Sequence, residues 1–360
     1  MEPRYKSRLI MIKTKMKESE YREVHMDSSS SVKDFSLDRK KYYKKYILKE
    51  DVKSKDTQAI MMGQLVELLL WEPELFDEKF YMSSCVNVPT ATMLKFVEAM
   101  YVHTKAATDE TGIVNSTFLD IATAAYADSG YKISLDSVIK KFDESDAVIY
   151  FEEICTVRSN NLQIVDPNDV NNAEKIVAEL QNNKITSNIV NQKTTERITV
   201  LDQHKVFGYE VHDLKLKSMM DRIIIDNATK TIQVYDLKCT WSVENFFKEY
   251  YLFRRSYIQA YFYYKACVHL RDTTPEYAGY TVDYPKFIVC DSINYFSPLI
   301  YTLDENDMID AEEGFTFNNK KYPGVKRIIT DLQWAIKNDI WNISRIAYNF
   351  NGIINIRHDS

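Results

Sequence analysis

The sequence predicts a mixed α/β (α+β) fold, a central mixed β-sheet flanked by helices, on three observations. Two runs rich in Ile and Val, Lys217 to Ile225 and Thr231 to Lys238, flank the turn sequence Asp226-Asn227-Ala228-Thr229-Lys230, the pattern of a β-hairpin. A long, aromatic-rich helical stretch from Val243 to Leu270 follows, and Lys286 to Cys290 reads as a further strand. Strand pairs followed by a long helix place helices on the face of a sheet.

Taken in order, residues 1–27 are mixed and charged, a loosely packed lead-in. The serine run Ser28 to Ser31 supplies a turn or N-cap for a helix beginning near Val32. From Arg39 to Lys55 eight basic residues face only Glu50 and Asp51, so the window carries 8 − 2 = +6, with Tyr42, Tyr43 and Tyr46 interleaved. Ala59 to Trp71 is a helix with Asp56 or Thr57 as its cap and Pro73 as its stop; being apolar almost all round, it is buried. Residues 83–200 form a mainly helical insertion, with helical patterns near 91–105, 116–128 and 172–182 and a polar loop from Ser159 to Asn172. After the hairpin and long helix comes an acidic run, Leu303 to Glu313, and from Val325 the chain is mostly helical.

Composition narrows the function. The 360 residues allow two domains or one large one with insertions. Gly and Pro number 8 each, about 2% where average usage is about 7% and 5%. Neither G-x-G-x-x-G nor G-x-x-x-x-G-K-[ST] occurs, which argues against dinucleotide and P-loop enzymes. Five cysteines with no C-x-x-C argue against a disulfide framework or zinc ribbon and fit a reducing cytoplasm. No signal peptide or membrane-spanning run is expected. The net charge is 46 − 52 = −6, so any nucleic-acid contact must be local, and the +6 window is its candidate.

The chemistry-bearing residues cluster on the hairpin. If residue 226 pairs with 231, paired numbers sum to 457 and Asp221 stands opposite Asp236. Side chains alternate along a strand, so Lys238 shares the face of Asp236. Two adjacent carboxylates repel and need a cation between them, either Lys238 or a divalent metal bound through oxygen. Glu67 lies inside the apolar run Leu65 to Trp71, where a lone charge is costly unless paired or metal-bound. Gly63, one turn earlier, permits close approach to that face. Gln259 and Tyr263 share a helix face at i, i+4. Each feature alone also reads as ordinary surface or core structure; the order and joint occurrence favour a site.

That order resembles the PD-(D/E)xK nuclease superfamily, and within it the phage exonucleases of the exonuclease VIII (RecE-type) and lambda-exonuclease group. The segments concerned are Tyr42-Tyr43-Lys44-Lys45-Tyr46, Met62-Gly63-Gln64-Leu65-Val66-Glu67, Met220-Asp221-Arg222-Ile223, Tyr235-Asp236-Leu237-Lys238-Cys239-Thr240 and Gln259-Ala260-Tyr261-Phe262-Tyr263. Tyr322-Pro323-Gly324-Val325 also fits, less specifically. The sequence departs from the group in two ways. Glu67 stands where many RecE-type members have His, closer to the lambda type, and Asp236 replaces the commoner Glu.

The resemblance implies a restriction-endonuclease-like core over residues 28–360 as one nuclease domain. It implies Mg²⁺, with Mn²⁺ as substitute, held by Glu67, Asp221, Asp236 and the carbonyl of Leu237. Lys238 would orient or deprotonate the attacking water, and Gln259 with Tyr263 would position the water shell or the DNA. Arg39, Lys40, Lys41, Lys44 and Lys45 are the candidate contacts to the DNA backbone, with Ser30 and Ser31 weaker ones and Glu196 and Glu210 second-tier acids. No iron–sulfur cluster is expected, because the four cysteines that hold one are missing. The implied activity is exonucleolytic hydrolysis at duplex DNA ends in phage-type recombination or repair, in bacterial or phage-infected host cytoplasm. Candidate further partners are a single-strand annealing protein and other copies of the chain. An endonuclease, a single-strand nuclease or an inactive DNA-binding protein on the same core remain the alternatives.

Overall fold

The protein was analysed as a computed structural model, which describes residues 16–50, 58–85, 87, 89–160, 162–295 and 297–354. The chain divides into two compact units. One holds residues up to Glu67 and from Ile176 onward; the other is Leu68–Lys175.

The first unit is built on helices α1 (Ser29–Leu37) and α2 (Gln58–Trp71) and a six-stranded sheet. Five of its strands are β1 (Ile198–Val211), β2 (Leu214–Asp226), β3 (Thr231–Thr240), β4 (Lys286–Asp291) and β5 (Leu299–Thr302), in that spatial order. The pairs β1–β2, β2–β3 and β4–β5 are antiparallel, and β3–β4 is parallel, so the sheet is mixed. The sixth, Thr281–Val282, pairs in parallel with the start of β3. Helix α3 (Ser256–Thr273) makes the crossover between β3 and β4, as a parallel pair requires. Helix α4 (Val325–Asn338) joins the same core.

The hairpin has the expected register: Asp226↔Thr231 through Arg222↔Tyr235 all sum to 457. Ile223, Ile225, Ile232 and Val234 are fully buried in the core shared with Ile258, Phe262 and Ala266 of α3 and Ile329 and Leu332 of α4. The apolar half of the hairpin face is therefore core, and its polar end carries the site.

Several elements differ from expectation. The helix near Val32 begins at Ser29, because Ser28 and Ser31 cap each other reciprocally: Ser28 N–H donates to Ser31 Oγ at 2.8 Å. The lead-in contains a helix, Glu18–Glu23, whose Tyr21 is buried. Strand β1 was not read from sequence. Its alternation is interrupted by Asp202-Gln203-His204-Lys205 and shifted by a bulge between Phe207 and Tyr209, where Gly208 has φ +74. The single helix expected over Val243 to Leu270 is broken. A wide π-turn, Phe247–Phe253, ends at Arg254, and Arg255 adopts a left-handed conformation before α3. A tertiary contact accompanies the break, since Arg255 Nη1 donates to Ser36 O at 2.9 Å.

The second unit is mainly helical: Ala91–Ala107, Phe118–Ser129, Leu135–Asp143 and Ala147–Ser159, with a two-stranded parallel sheet of Phe80–Met82 and Gln163–Val165. Its core gathers Phe96, Val97, Met100, Ile121, Val138, Phe142 and Ile154. Buried Glu153 accepts hydrogen bonds from Ser83 Oγ and from Ser84 N–H and Oγ, at 2.6 to 2.7 Å, so its charge is compensated. The polar loop expected from Ser159 to Asn172 is instead a strand followed by a helix, Pro167–Asn182. Proline fits a first helical position, where its missing N–H is not needed. Among the described residues no helix is long and apolar enough to cross a membrane. The caps Asp56 and Thr57 and the basic residues Lys53 and Lys55 lie outside the described residues.

Candidate active site

The sheet ladder is interrupted on both sides of Asp221. On the β3 side, pairing stops at Arg222↔Tyr235, and the Leu237 N–H donates to Asp221 Oδ2 at 2.8 Å in place of a ladder bond. On the β1 side, Asp202 pairs with Arg222 and His204 with Met220, but Gln203 between them is left-handed, φ +48, and drops out. Its side chain reaches α2, where Gln203 Nε2 donates to Glu67 Oε1.

Glu67 is thereby brought close to Asp221, near enough that each carboxyl bears on the other's protonation. Burial pushes the Glu67 carboxyl above its ordinary range, against the hydrogen bonds from Gln203 and Asp221. The Asp221 carboxyl is pushed well up, by burial first and then by the charges of Glu67 and Asp236. Burial and the neighbouring charges thus disfavour the ionised form of both carboxyls in the metal-free protein.

Asp236, 1% exposed, is held differently. Its Oδ2 forms an ion pair with Lys238 Nζ, and its Oδ1 accepts from Gln259 Nε2 at 2.8 Å. Gln259 also donates to Tyr263 Oη at 2.9 Å, and that hydroxyl donates to Met219 O at 2.7 Å, pinning α3 to β2. Lys238 Nζ further lies 3.3 Å from the carbonyl of Leu237. Burial alone would lower the Lys238 pKa, but Asp236 and Asp221 outweigh it and raise it, so the ammonium stays charged at neutral pH.

All seven residues expected at the centre are therefore placed together: Glu67, Asp221, Asp236, Leu237, Lys238, Gln259 and Tyr263. As the side chains stand, no three acidic, His or Cys groups among the described residues are gathered closely enough to hold a metal ion. The reason is local: Lys238 and Gln259 engage Asp236, while Glu67 and Asp221 face each other. The donors are nevertheless of the hard oxygen type that Mg²⁺ and Mn²⁺ prefer, and a dication would favour their ionised forms. Around Gly63 nothing lies within 4 Å of where a Cβ would stand, so that side of α2 is open.

Two residues at the site had not been singled out from sequence. Gln203 has no local signal beyond sitting in a polar break of an apolar strand. Lys33 on α1 senses both Lys238 and Asp236; burial, then Lys238, lowers its pKa to about 8. Arg254 is a weaker neighbour of the same group.

The basic run is split by its contacts. Asp38 caps the short helix Arg39–Tyr42, accepting from Lys40 N and Lys41 N. Lys41 and Lys45 both pair with Asp34, at 2.7 and 3.2 Å. Arg39 lies over the Phe35 ring, 5.7 Å from its centroid, while Lys40 and Lys44 are exposed. Ser31 is buried, donating to Asp27 at 2.7 Å, and Ser30 is exposed. Glu210 faces Lys215 at 3.9 Å, and Glu196 is exposed ahead of β1; neither joins the cluster.

No family model and no curated protein matches the chain. Among solved structures, the crystal structure named "Putative exonuclease" from Eubacterium rectale is similar over 95% of each chain, with a TM-score of 0.47 and 11% identity. Similarity at that level decides neither fold family nor activity, which leaves the side chains as the basis for a functional reading.

Proposed function

We propose that this chain is a divalent-cation-dependent deoxyribonuclease of the restriction-endonuclease-like type, hydrolysing phosphodiester bonds at duplex DNA ends in phage-type recombination or repair. The observation that carries the reading is the gathering of Glu67, tied by Gln203, and Asp221, tied by Leu237 N–H, beside the Asp236–Lys238 pair at the polar end of a buried hairpin. Mg²⁺ or Mn²⁺ held by Glu67, Asp221, Asp236 and Leu237 O would lower the pKa of a water and neutralise phosphate charge.

The chain's own residues divide the remaining work. Glu67 and Asp221, whose carboxyls are pushed up, must be ionised for the site to load, so loading is favoured as pH rises. Lys238 is held protonated by its carboxylate neighbours, which suits it to orient the attacking water and donate to the phosphate oxygen that gains charge, rather than to act as base. Gln259 and Tyr263 fix the rotamer of Asp236 and so the position of Lys238. Lys33 adds positive charge on the α1 side. No iron–sulfur cluster is part of the reading, and its setting is the cytoplasm.

The test compares linear and covalently closed circular duplex with Mg²⁺, Mn²⁺ or EDTA, for wild type and Asp236→Ala. Nucleotide release from the linear form alone, lost in EDTA and in the variant, is the expected result. Equal degradation of the circle would make the protein an endonuclease. DNA binding with no release under either metal would make it a binding protein.

A further inference from the structure

A second feature of the first unit lies one helical turn along α1 from Lys33. Phe35 and Ser36 line an open cavity of about 410 Å³, closed on its other sides by the hairpin Gly314–Phe317/Lys320–Pro323 and the first turn of α4. That volume falls within the roughly 300–1,000 Å³ of ligand sites. Three cationic side chains line it: Arg39, Lys321 and Arg327.

Two carboxylates also line the cavity, but each has a cation of its own. Glu313 pairs with Lys326 at 2.7 Å, and Asp331 with Arg345 at 2.7 Å and, more loosely, with Arg327 of the cavity itself at 3.9 Å. Arg39 and Lys321 have no carboxylate at ion-pair distance among the described residues. Counting partners, five cations answer two acids, and the cavity is a positive surface. Gly324 offers α4 no side-chain cap, which adds to the positive character of that wall.

The aromatic lining is already engaged. Phe315 and Tyr322 stack on each other, centroids 5.0 Å apart at 13°. Tyr257 packs edge-on against Phe315, and Lys320 lies over Tyr322. These rings are taken up by one another and by Lys320, so the cationic side chains lead the recognition. The occupant this chemistry suits is therefore anionic and read by charge alone.

Helix α1 links the cavity to the candidate active site. Lys33 and Ser36, three residues apart on α1, share a face, and Arg255 donates to Ser36 O at 2.9 Å. Asp34, about 100° round the same helix, draws Lys41 and Lys45 to another side. We propose that this cavity binds the phosphodiester backbone of the DNA strand flanking the scissile bond, through Arg39, Lys321 and Arg327. The strand runs along the Lys33–Ser36 face of α1, away from the Lys41–Lys45 side of the basic run. The inference rests on the nuclease reading for its ligand.

The test measures fluorescence-anisotropy binding of a labelled 20-mer, single-stranded and duplex, with Ca²⁺ as a non-hydrolytic cation. Wild type is compared with Lys321→Glu, Arg39→Ala and the control Lys337→Glu, an exposed lysine at the far end of α4, over a salt series. Lys321→Glu and Arg39→Ala should each weaken binding by roughly three- to tenfold, equally for unrelated sequences. Each should also lower the salt slope by about 1, with the control unchanged. Variants that match both wild type and control in affinity and slope would overturn the inference, as would wild type that binds no DNA. The two readings fail separately. Cavity-dependent binding without nucleotide release under Mg²⁺ would refute the nuclease alone. Release of nucleotides with cavity variants that bind normally would refute the cavity alone.

Discussion

Replacing Asp221 by Asn is expected to stabilise the metal-free protein while abolishing its response to divalent cations. Asp221 is close to Glu67 and Asp236, and the cation beside it, Lys238, is paired with Asp236. Two carboxylates about 4 Å apart repel by about 4 kcal/mol at an effective dielectric of 20. Protonation of either acid would cap that cost, so the relief on removing one charge is about 1–3 kcal/mol at pH 8. Asn keeps an acceptor for the Leu237 N–H and gains a donor for Glu67, so no buried group is orphaned. In EDTA at pH 8, thermal unfolding should rise by roughly 2–6 °C.

The pH dependence has a definite sign. Both folded pKa values lie above the ordinary carboxylate range, so the folded state binds more protons than the unfolded chain. The contribution of these groups to stability is full below about pH 4 and is lost as pH rises through the folded values. The advantage of Asp221→Asn should therefore shrink as pH is lowered toward 4. With cation at a hundred times its Kd, wild type should gain about 2.7 kcal/mol and the variant nothing. A variant that melts below wild type in EDTA at pH 8 by more than about 1 kcal/mol would refute the argument.

Three further outcomes are expected. Lys238→Gln should lower nucleotide release by at least about a hundredfold, while Mn²⁺ binding by calorimetry is unweakened, because Asp236 is freed from its ion pair. Gln203→Gly removes the donor to Glu67 but suits the left-handed backbone, so stability should change by less than about 1 kcal/mol. Mn²⁺ affinity should still fall by roughly tenfold, read in the same titration. Ile232→Ala, at a fully buried site between hairpin and helix, should cost about 2–5 kcal/mol in denaturant unfolding, whether or not metal is present.

The hairpin was legible because its signal is local: Ile and Val at period two, a polar turn, and a register that fixes every face once one pair is set. That register placed Asp221, Asp236 and Lys238 at one end of the buried surface, and Glu67 stood out as the lone charge in an apolar helix. Strand β1 was not legible, because a bulge at Gly208 and a left-handed Gln203 break its period. The helix break at Arg255 was hidden inside an unbroken apolar pattern, and it coincides with a contact to Ser36, 219 residues away in sequence.

The sequence by itself determined the place of Asp221, Asp236 and Lys238 on the hairpin and of Glu67, Gln259 and Tyr263 on helices, since pairing and periodicity follow from neighbours along the chain. Only the tertiary structure decided how they are shared out. Gln203 reaches across to Glu67, Lys238 claims Asp236, and Asp34 removes Lys41 and Lys45 from the basic run while leaving Arg39 beside the cavity. These are contacts between segments far apart in sequence, set by which faces pack together, and no local period carries that information.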